Sequence, residues 1–205
     1  EAFDVCYDYD IFGYMDDYLY EKEPLKHWLR AIIEQESIYP KNYVKLRSFE
    51  NHDQERIAKK AKDHKQLIHL TAMQFFIKGM PMVYNGQEHL IKHRPDLFEH
   101  DLIKWDSSNS IEHIITKLNK IKKDDIMSKG IFNLENKEEA VFSYQLNNNY
   151  RLGVFNLNNT NKLKVNLKDG TYLNSYNNEE VVVNNGQINN LDNPIIIDTL
   201  VTNKL

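Results

Sequence analysis

Hydrophobic and polar residues follow two different patterns along this chain, and the change falls near residue 130. Before that point, apolar residues recur at the three- and four-residue intervals of helices, between short apolar runs typical of strands. From Ile131 onward, short runs with strand propensity alternate with asparagine-rich turns. The pattern predicts two modules, residues 1–130 and residues 131–205.

The first module is predicted to alternate strands with helices. Gly79 is interpreted as the stop of the second helix, and Ser110 as the N-cap of the third. Because parallel strands need crossover connections of helical length, the order strand, helix, strand, helix, strand indicates an α/β barrel or an open sheet. The predicted strands are residues 2–7, 43–49 and 80–84, and the predicted helices are residues 24–38, 57–79 and 110–125.

The second module is predicted to be an antiparallel β-sandwich. Asparagine pairs, an Asp-Gly step and an Asn-Gly step separate its strand-like runs, and these residues tolerate the positive φ of tight turns. The predicted strands are residues 140–145, 151–155, 163–167, 171–176, 180–183 and 195–198.

Composition and charge exclude several classes of protein. The chain has 205 residues and a net charge of −4, so it lacks the basic footprint that nucleic acid requires. No apolar run approaches the roughly 18 residues that span a bilayer, and no membrane partner is expected. The single cysteine, Cys6, excludes an internal disulfide, and on a predicted buried strand it is interpreted as a small hydrophobic residue. Cysteine usage leans weakly towards the cytoplasm, and because the chain does not begin with Met we expect its natural N-terminus to lie upstream.

No metal and no cofactor are expected. His89 and His93 follow Glu88 at a spacing that could bring both imidazoles to one helix face. The His-Glu-x-x-His pattern of zinc proteases is not present, however, and Pro95 would soon end a helix.

Three segments, taken in order, resemble the α-amylase family of glycoside hydrolases. Phe-Glu-Asn-His-Asp at residues 49–53 resembles the family signature of barrel strand seven. Residues 79–88 contain Gly-x-Pro-(x)4-Gly-x-Glu and resemble the signature of strand eight. Residues 3–10 resemble the strand-six region, and residues 98–99 with 103–106 resemble the stretch that leads into the last barrel helix.

The resemblance implies a partial (β/α)8 barrel, its last three strand–helix units, followed by the all-β domain. A complete barrel needs about 250 residues, so strands one to five would precede this chain. In the family, the nucleophile and the general acid follow strands four and five, and retaining hydrolysis needs both carboxyl groups about 5 Å apart. We therefore expect the chain alone to be inactive, and we expect its open barrel edges to permit self-association.

The resemblance also assigns site residues. Asp53 becomes the carboxylate that stabilises the oxocarbenium-like transition state, and His52 a hydrogen-bond partner of the sugar. Asn51 binds substrate or orients the loop, and Tyr84 lines the barrel or the sugar cleft. Arg56 binds substrate, braces Asp53 or lies on a helix face. The alternative for Asp53 is a plain helix cap, a position at which aspartate is preferred.

Other residues are given structural roles. Gly79 stops a helix, Gly86 permits a tight turn, Pro81 starts a strand, and Glu88 is a buried hydrogen-bonding residue at the barrel rim. Charged residues interpreted as capping or solvated are Asp4, Asp8, Asp10, Lys117, Lys120, Lys122 and Lys123.

Three classes of function remain open. The first is an enzyme acting on α-glucans or maltooligosaccharides, a hydrolase or a transferase, of which this chain is the C-terminal part. The second is a carbohydrate-binding or structural module, which paired exposed aromatics on the sandwich would favour. The third is a non-catalytic scaffold, against which the His52–Asp53 pair counts. The enzyme is favoured, and the tyrosines to examine in the second module are Tyr144, Tyr150, Tyr172 and Tyr176.

Overall fold

The computed structural model describes residues 3–105 and 107–205. Ala2 of the first predicted strand and Asp106 of the family-like segment lie outside the described residues. Within the described ranges, no helix is both long and apolar enough to cross a membrane.

Three short parallel strands form the sheet of the first module, in the order β1-β2-β3. The predicted alternation of strands and helices is confirmed, although each strand is shorter than predicted. The elements are β1 (Cys6–Tyr7), α1 (Tyr9–Leu19), α2 (Leu25–Ile38), β2 (Lys45–Arg47), α3 (Ile57–Lys60), α4 (His64–Phe76) and β3 (Met80–Pro81).

Helix α1 was not predicted, and the single helix predicted at 57–79 is two helices, of which the second ends at Phe76. Residues of α1 that are buried recur at helical spacing, but the acidic residues and Gly13 among them hide the pattern. The break before α4 occurs because Ala61 is extended and Asp63 caps α4, accepting a bond of 2.7 Å from the amide of Gln66.

Two assignments on this sheet were wrong. Gly79 does not stop α4, which ends at Phe76. Gly79 has φ +127°, and a Cβ there would lie 2.4 Å from the carbonyl oxygen of Lys45, so its role is close approach to β2. Cys6 is exposed rather than buried, because β1 is the edge strand of the described sheet.

The acidic residues after β1 are partners of buried charge, not solvated caps. The guanidinium of Arg47, which is fully buried, donates to Asp8 at 2.6 Å and to Gln35 at 2.8 Å. Burial raises the pKa of Asp8 in spite of Arg47. Nearby, Lys45 donates to Asp10 at 2.8 Å.

The third predicted helix is α5 (Glu112–Lys122), followed by a short α6 (Asp125–Lys129). Ser110 is not the N-cap of α5, which is Ile111, although the hydroxyl of Ser110 accepts a bond of 3.2 Å from the amide of Glu112. Lys122 is not part of a solvated face: its amine donates to the carbonyl of Ile77 at 2.8 Å, and burial, with Arg47 adding repulsion, lowers its pKa to about 7.

The second module contains a four-stranded antiparallel sheet in the order β11-β6-β5-β4 and two short two-stranded sheets. Strands β4 and β10 were not predicted. The elements are β4 (Ile131–Asn136), β5 (Ala140–Leu146), β6 (Asn149–Phe155), β7 (Leu163–Lys164), β8 (Gly170–Leu173), β9 (Glu180–Val183), β10 (Gln187–Ile188) and β11 (Ile195–Leu200). Asparagine turns are confirmed by the positive φ of Asn147, Asn159, Asn178 and Asn185.

The four-stranded sheet buries both of its faces. Along β5, Phe142 and Tyr144 belong to a core shared with the helices, while Val141 belongs to a second core beneath the short sheets. This alternation is the period of a strand packed on both sides. The sequence boundary at residue 131 is therefore crossed by one continuous hydrophobic core.

Phe76, the last residue of α4, is the central contact across that boundary. Its ring packs against Tyr144 and Phe155, with centroids 5.5 and 5.3 Å away. It fits because β6 has no side chain at Gly153, where a Cβ would lie 2.7 Å from the ring. Tyr144 also donates its hydroxyl to the carbonyl of Phe76 at 3.1 Å.

His69 forms a second link between α4 and the β module. Its Nδ1 accepts from the amide of Asn156 at 3.1 Å, and its Nε2 lies 3.2 Å from the carbonyl of Leu191. This arrangement requires a neutral ring with the proton on Nε2. Burial lowers the pKa of His69 to about 4.

We expect Gly153→Ala to destabilise the chain by about 1–3 kcal/mol, because the added methyl overpacks the ring of Phe76. The matched control is Gly13→Ala in α1, where a Cβ meets nothing within 4 Å and should stabilise by about 0.5–1 kcal/mol. Urea unfolding of both variants measures the difference. Equal free energies of unfolding for the two variants would contradict the packing described for Phe76.

We expect acid to weaken the fold through His69. As pH falls below 6.5, His69 becomes protonated in the unfolded chain, whereas in the folded chain it stays neutral until about pH 4. The free energy of unfolding should therefore fall over this window, by up to roughly 3 kcal/mol. His69→Gln should flatten this part of the pH profile, and His64→Gln on the exposed start of α4 controls for the substitution. An unchanged slope in His69→Gln would disprove the assignment.

Candidate functional site

The loop after β2 places an imidazole and a carboxylate at the carboxyl end of the sheet. His52 and Asp53 lie in a turn, with Nε2 of His52 3.2 Å from Oδ2 of Asp53. Their side chains are 55% and 51% exposed, so both remain accessible to a ligand.

Asp53 does not cap a helix. Helix α3 begins at Ile57, and the amide of Ile57 donates instead to Oε2 of Glu50 at 2.7 Å. The structure thus contradicts the interpretation of Asp53 as a helix cap. The carboxylate of this residue is held outward in the turn, with His52 as its neighbour.

Asn51 orients this turn. Its side chain is 2% exposed, its Oδ1 accepts from the amide of Asp53 at 2.8 Å, and its Nδ2 donates to the hydroxyl of Tyr9 at 2.9 Å. Of the two roles considered for Asn51, these contacts favour orientation of the loop over contact with substrate.

Arg56 neither binds substrate nor contacts Asp53 directly, because its buried guanidinium pairs with Glu50. Both side chains are fully buried, and Nη1 of Arg56 lies 2.7 Å from Oε1 of Glu50. A residue without exposed surface cannot contact a sugar. Burial raises the pKa of Glu50, although Arg56 and the amide of Ile57 act in the opposite direction.

The loop after β3 lies against Arg56. The guanidinium carbon of Arg56 is 4.5 Å from the ring centre of Tyr84, and Nη1 donates to the carbonyl of Asn85 at 2.9 Å. Tyr84 is half-buried, so that part of its side chain remains available at the carboxyl end of the sheet.

The structural roles predicted for Gly86, Pro81 and Glu88 hold only in part. Gly86 adopts φ +92°, and a Cβ there would lie 2.7 Å from Ile91. Pro81 is the last rather than the first residue of β3; it stands opposite Arg47, at an edge of the described sheet where a missing donor is tolerated. Glu88 accepts from the amide of Gly86 at 3.0 Å, but it is half-buried rather than buried.

Sequence reasoning missed several residues that hold the two loops together. Gln74 of α4 donates to the carbonyls of Arg47 at 2.9 Å and Met82 at 2.7 Å. Gln87 donates to Gln74 at 2.9 Å, and Arg94 donates to the carbonyl of Asp53 at 3.1 Å. No local pattern marks these pairs, whose members lie 8 to 41 residues apart in sequence.

The described residues contain no group of three or more His, Cys, Asp and Glu side chains that could hold a metal ion. His89 and His93 do not share a ligand geometry, because His89 lies 3.5 Å from Glu112 and His93 lies 2.7 Å from Asp101. The exposed pair His52–Asp53 can instead bind hydroxyl groups and stabilise a developing positive charge.

Two comparisons of the sequence find relatives of part of the chain. Residues 133–197 match the family described as the bacterial α-amylase C-terminal domain. α-Amylase 2 of Dictyoglomus thermophilum is 33% identical over 87 residues, which cover 42% of this chain and 16% of that protein.

Solved structures extend the likeness to nearly the whole chain. An α-amylase from Lactobacillus plantarum is 26% identical with a TM-score of 0.87 and covers 97% of this chain. A noncanonic maltogenic α-amylase from Thermotoga neapolitana is 28% identical with a TM-score of 0.85 and covers 98% of it. The chain spans 48% and 52% of the lengths of these two proteins.

We expect Asp53→Ala to leave the free energy of unfolding within about 0.5 kcal/mol of the unsubstituted chain, because its side chain caps no helix. The matched control is Asp63→Ala, which removes the cap of α4 and should cost about 1 kcal/mol. Thermal or urea unfolding compares the two. A loss for Asp53→Ala equal to that for Asp63→Ala would restore the helix-cap interpretation.

Proposed function

We propose that this chain, which corresponds to the C-terminal part of an α-amylase family glycoside hydrolase, supplies the transition-state-stabilising carboxylate of an active site for α-glucans. The observation that carries the proposal is the exposed Asp53 beside His52 at the carboxyl end of β2, with no helix to cap. In (β/α)8 enzymes, active sites lie at this end of the strands.

The role of Asp53 follows from its charge and exposure. As a glycosidic bond breaks by a retaining mechanism, the sugar ring becomes oxocarbenium-like. Hydrogen bonds from sugar hydroxyls to a carboxylate strengthen as positive charge develops, so that they favour the transition state over the ground state. His52 is placed to hold a hydroxyl of the same sugar, and Tyr84 to line the cleft.

The β module supports the enzyme over a separate carbohydrate-binding module. Binding modules present exposed aromatic faces, whereas Tyr144, Tyr150 and Tyr176 are buried and Tyr172 is half-buried. Within residues 131–205 these tyrosines pack in or against the hydrophobic cores and do not form an exposed aromatic face. Three relatives at 26–33% identity are described as α-amylases, which favours hydrolysis over glycosyl transfer for the proposed activity.

The proposal includes a barrel completed by strands from outside this chain. Tyr7, Leu46 and Met80 stand opposite one another across the three parallel strands, and Tyr7 and Met80 are about half exposed. Such an apolar row is expected on the inner face of a barrel. In the chain alone, this face and the strand edges favour self-association, and the nucleophile and general acid are missing.

In a protein with the complete barrel, we expect Asp53→Asn to lower kcat by about 10²–10³-fold with a much smaller change in KM. The neutral isostere keeps the shape but loses the charge-assisted bonds, worth about 2.7–4 kcal/mol by analogy with a lost oxyanion donor. His52→Ala should cost less, because it removes a neutral contact.

Steady-state kinetics on a chromogenic maltooligosaccharide provide the measurement. The 205-residue chain assayed alone is the control and should show no turnover above buffer. Turnover by the chain alone, or a kcat for Asp53→Asn within a few-fold of the parent while His52→Ala abolishes activity, would refute the proposed roles.

A further inference from the structure

Glu50 and Arg56 form a fully buried ion pair at the base of the loop that carries His52 and Asp53. The carboxylate of Glu50 uses both oxygens: Oε1 accepts from Arg56, and Oε2 accepts from the amide of Ile57, each at 2.7 Å. One side chain therefore joins the start of the loop to its end, six and seven residues later. Residues 51–55 are closed into a loop of defined span.

Arg56 extends this closure to the neighbouring strand. Besides Glu50, its guanidinium donates to the carbonyls of Asn85 at 2.9 Å and His93 at 3.0 Å, and it stacks on Tyr84. The ion pair thus sets the loop after β2 and the loop after β3 relative to one another. Asp53 and Tyr84, which the proposed site uses together, lie on these two loops.

Stability alone does not account for a pair of this kind. Removing two charges from water costs about as much as their attraction returns, and an apolar pair of similar volume is often equally stable or more so. Nη2 of Arg56 is buried without a partner among the described residues, which adds to the cost. What the pair provides is a defined geometry, since the guanidinium donates hydrogen bonds, and the carboxylate accepts them, only in restricted directions.

On the basis of the proposed function, we infer that Glu50 and Arg56 are positioning residues, which touch no substrate but hold Asp53 and Tyr84 at the separation that catalysis needs. The inference predicts that an apolar replacement preserves folding and damages the geometry of the loop. Lone substitutions leave one buried charge unpaired and are expected to unfold the protein.

The test is the double variant Glu50→Met/Arg56→Met, with Glu55→Gln as matched control. Glu55 lies in the same loop and pairs with Lys59 at 2.7 Å on the protein surface, where an ion pair contributes little. In the 205-residue chain, thermal unfolding should show both variants folded. Amide exchange at Asp53, whose N–H is held by Asn51, and at Gln54 should then be at least about fivefold faster in the double variant and unchanged in the control.

In a protein with the complete barrel, the double variant should lose at least about tenfold in kcat, with KM within about threefold of the parent. A double variant that folds and keeps both the amide exchange rates and kcat would overturn the inference, and so would one whose kcat falls only in proportion to its folded fraction. If the complete parent protein shows no activity on maltooligosaccharides, the proposed function fails. The exchange experiment on this chain still decides whether Glu50 and Arg56 position the loop.

Discussion

The insertion of Phe76 into the four-stranded sheet over Gly153 is the contact on which the two parts of the molecule depend. Every residue of α4 from Gln66 to Phe76 is buried, so this helix is apolar or internally bonded on all sides, as is expected of an element in the middle of a core. One side of α4 receives β6. Another side, through Gln74, holds the carbonyls at the ends of β2 and β3. Helix α4 thus holds the parallel sheet and the antiparallel sheet together.

The geometry of the candidate site is a product of this arrangement. Gln74 reaches Gln87 in the loop after β3, and Arg56 reaches Asn85 in the same loop from the side of β2. The two loops are tied by buried polar groups whose bonds are directional, whereas the helices behind them are held by apolar contact, which tolerates small shifts. This division leaves His52 and Asp53 exposed on a rigid base.

Sequence reasoning performed well where a local rule applies. The positions of His52 and Asp53 follow from a short motif after a strand, and positive φ at Asn147 and Asn185 follows from turn chemistry. It performed poorly where a residue's partner is distant in sequence. Local rules assign charged residues to the solvent, but the structure buries two ion pairs, Asp8 with Arg47 and Glu50 with Arg56. Helix α1 was missed because acidic residues interrupt its apolar spacing. Strand β4 was missed because it is defined mainly by its hydrogen-bonded pairing with β5, which its own sequence does not reveal.

The shared core around Phe76 also bears on how proteins of this architecture can exchange parts. A crossover placed at residue 131, between a helical segment from one parent and a β segment from another, would separate a ring from the glycine that makes room for it. It would also separate the imidazole of His69 from the backbone groups it joins. The segment that has to be inherited together is therefore α4, with its cap Asp63, and the β module. Recombination that keeps these contacts would cut before Asp63, in the extended segment that separates α3 from α4.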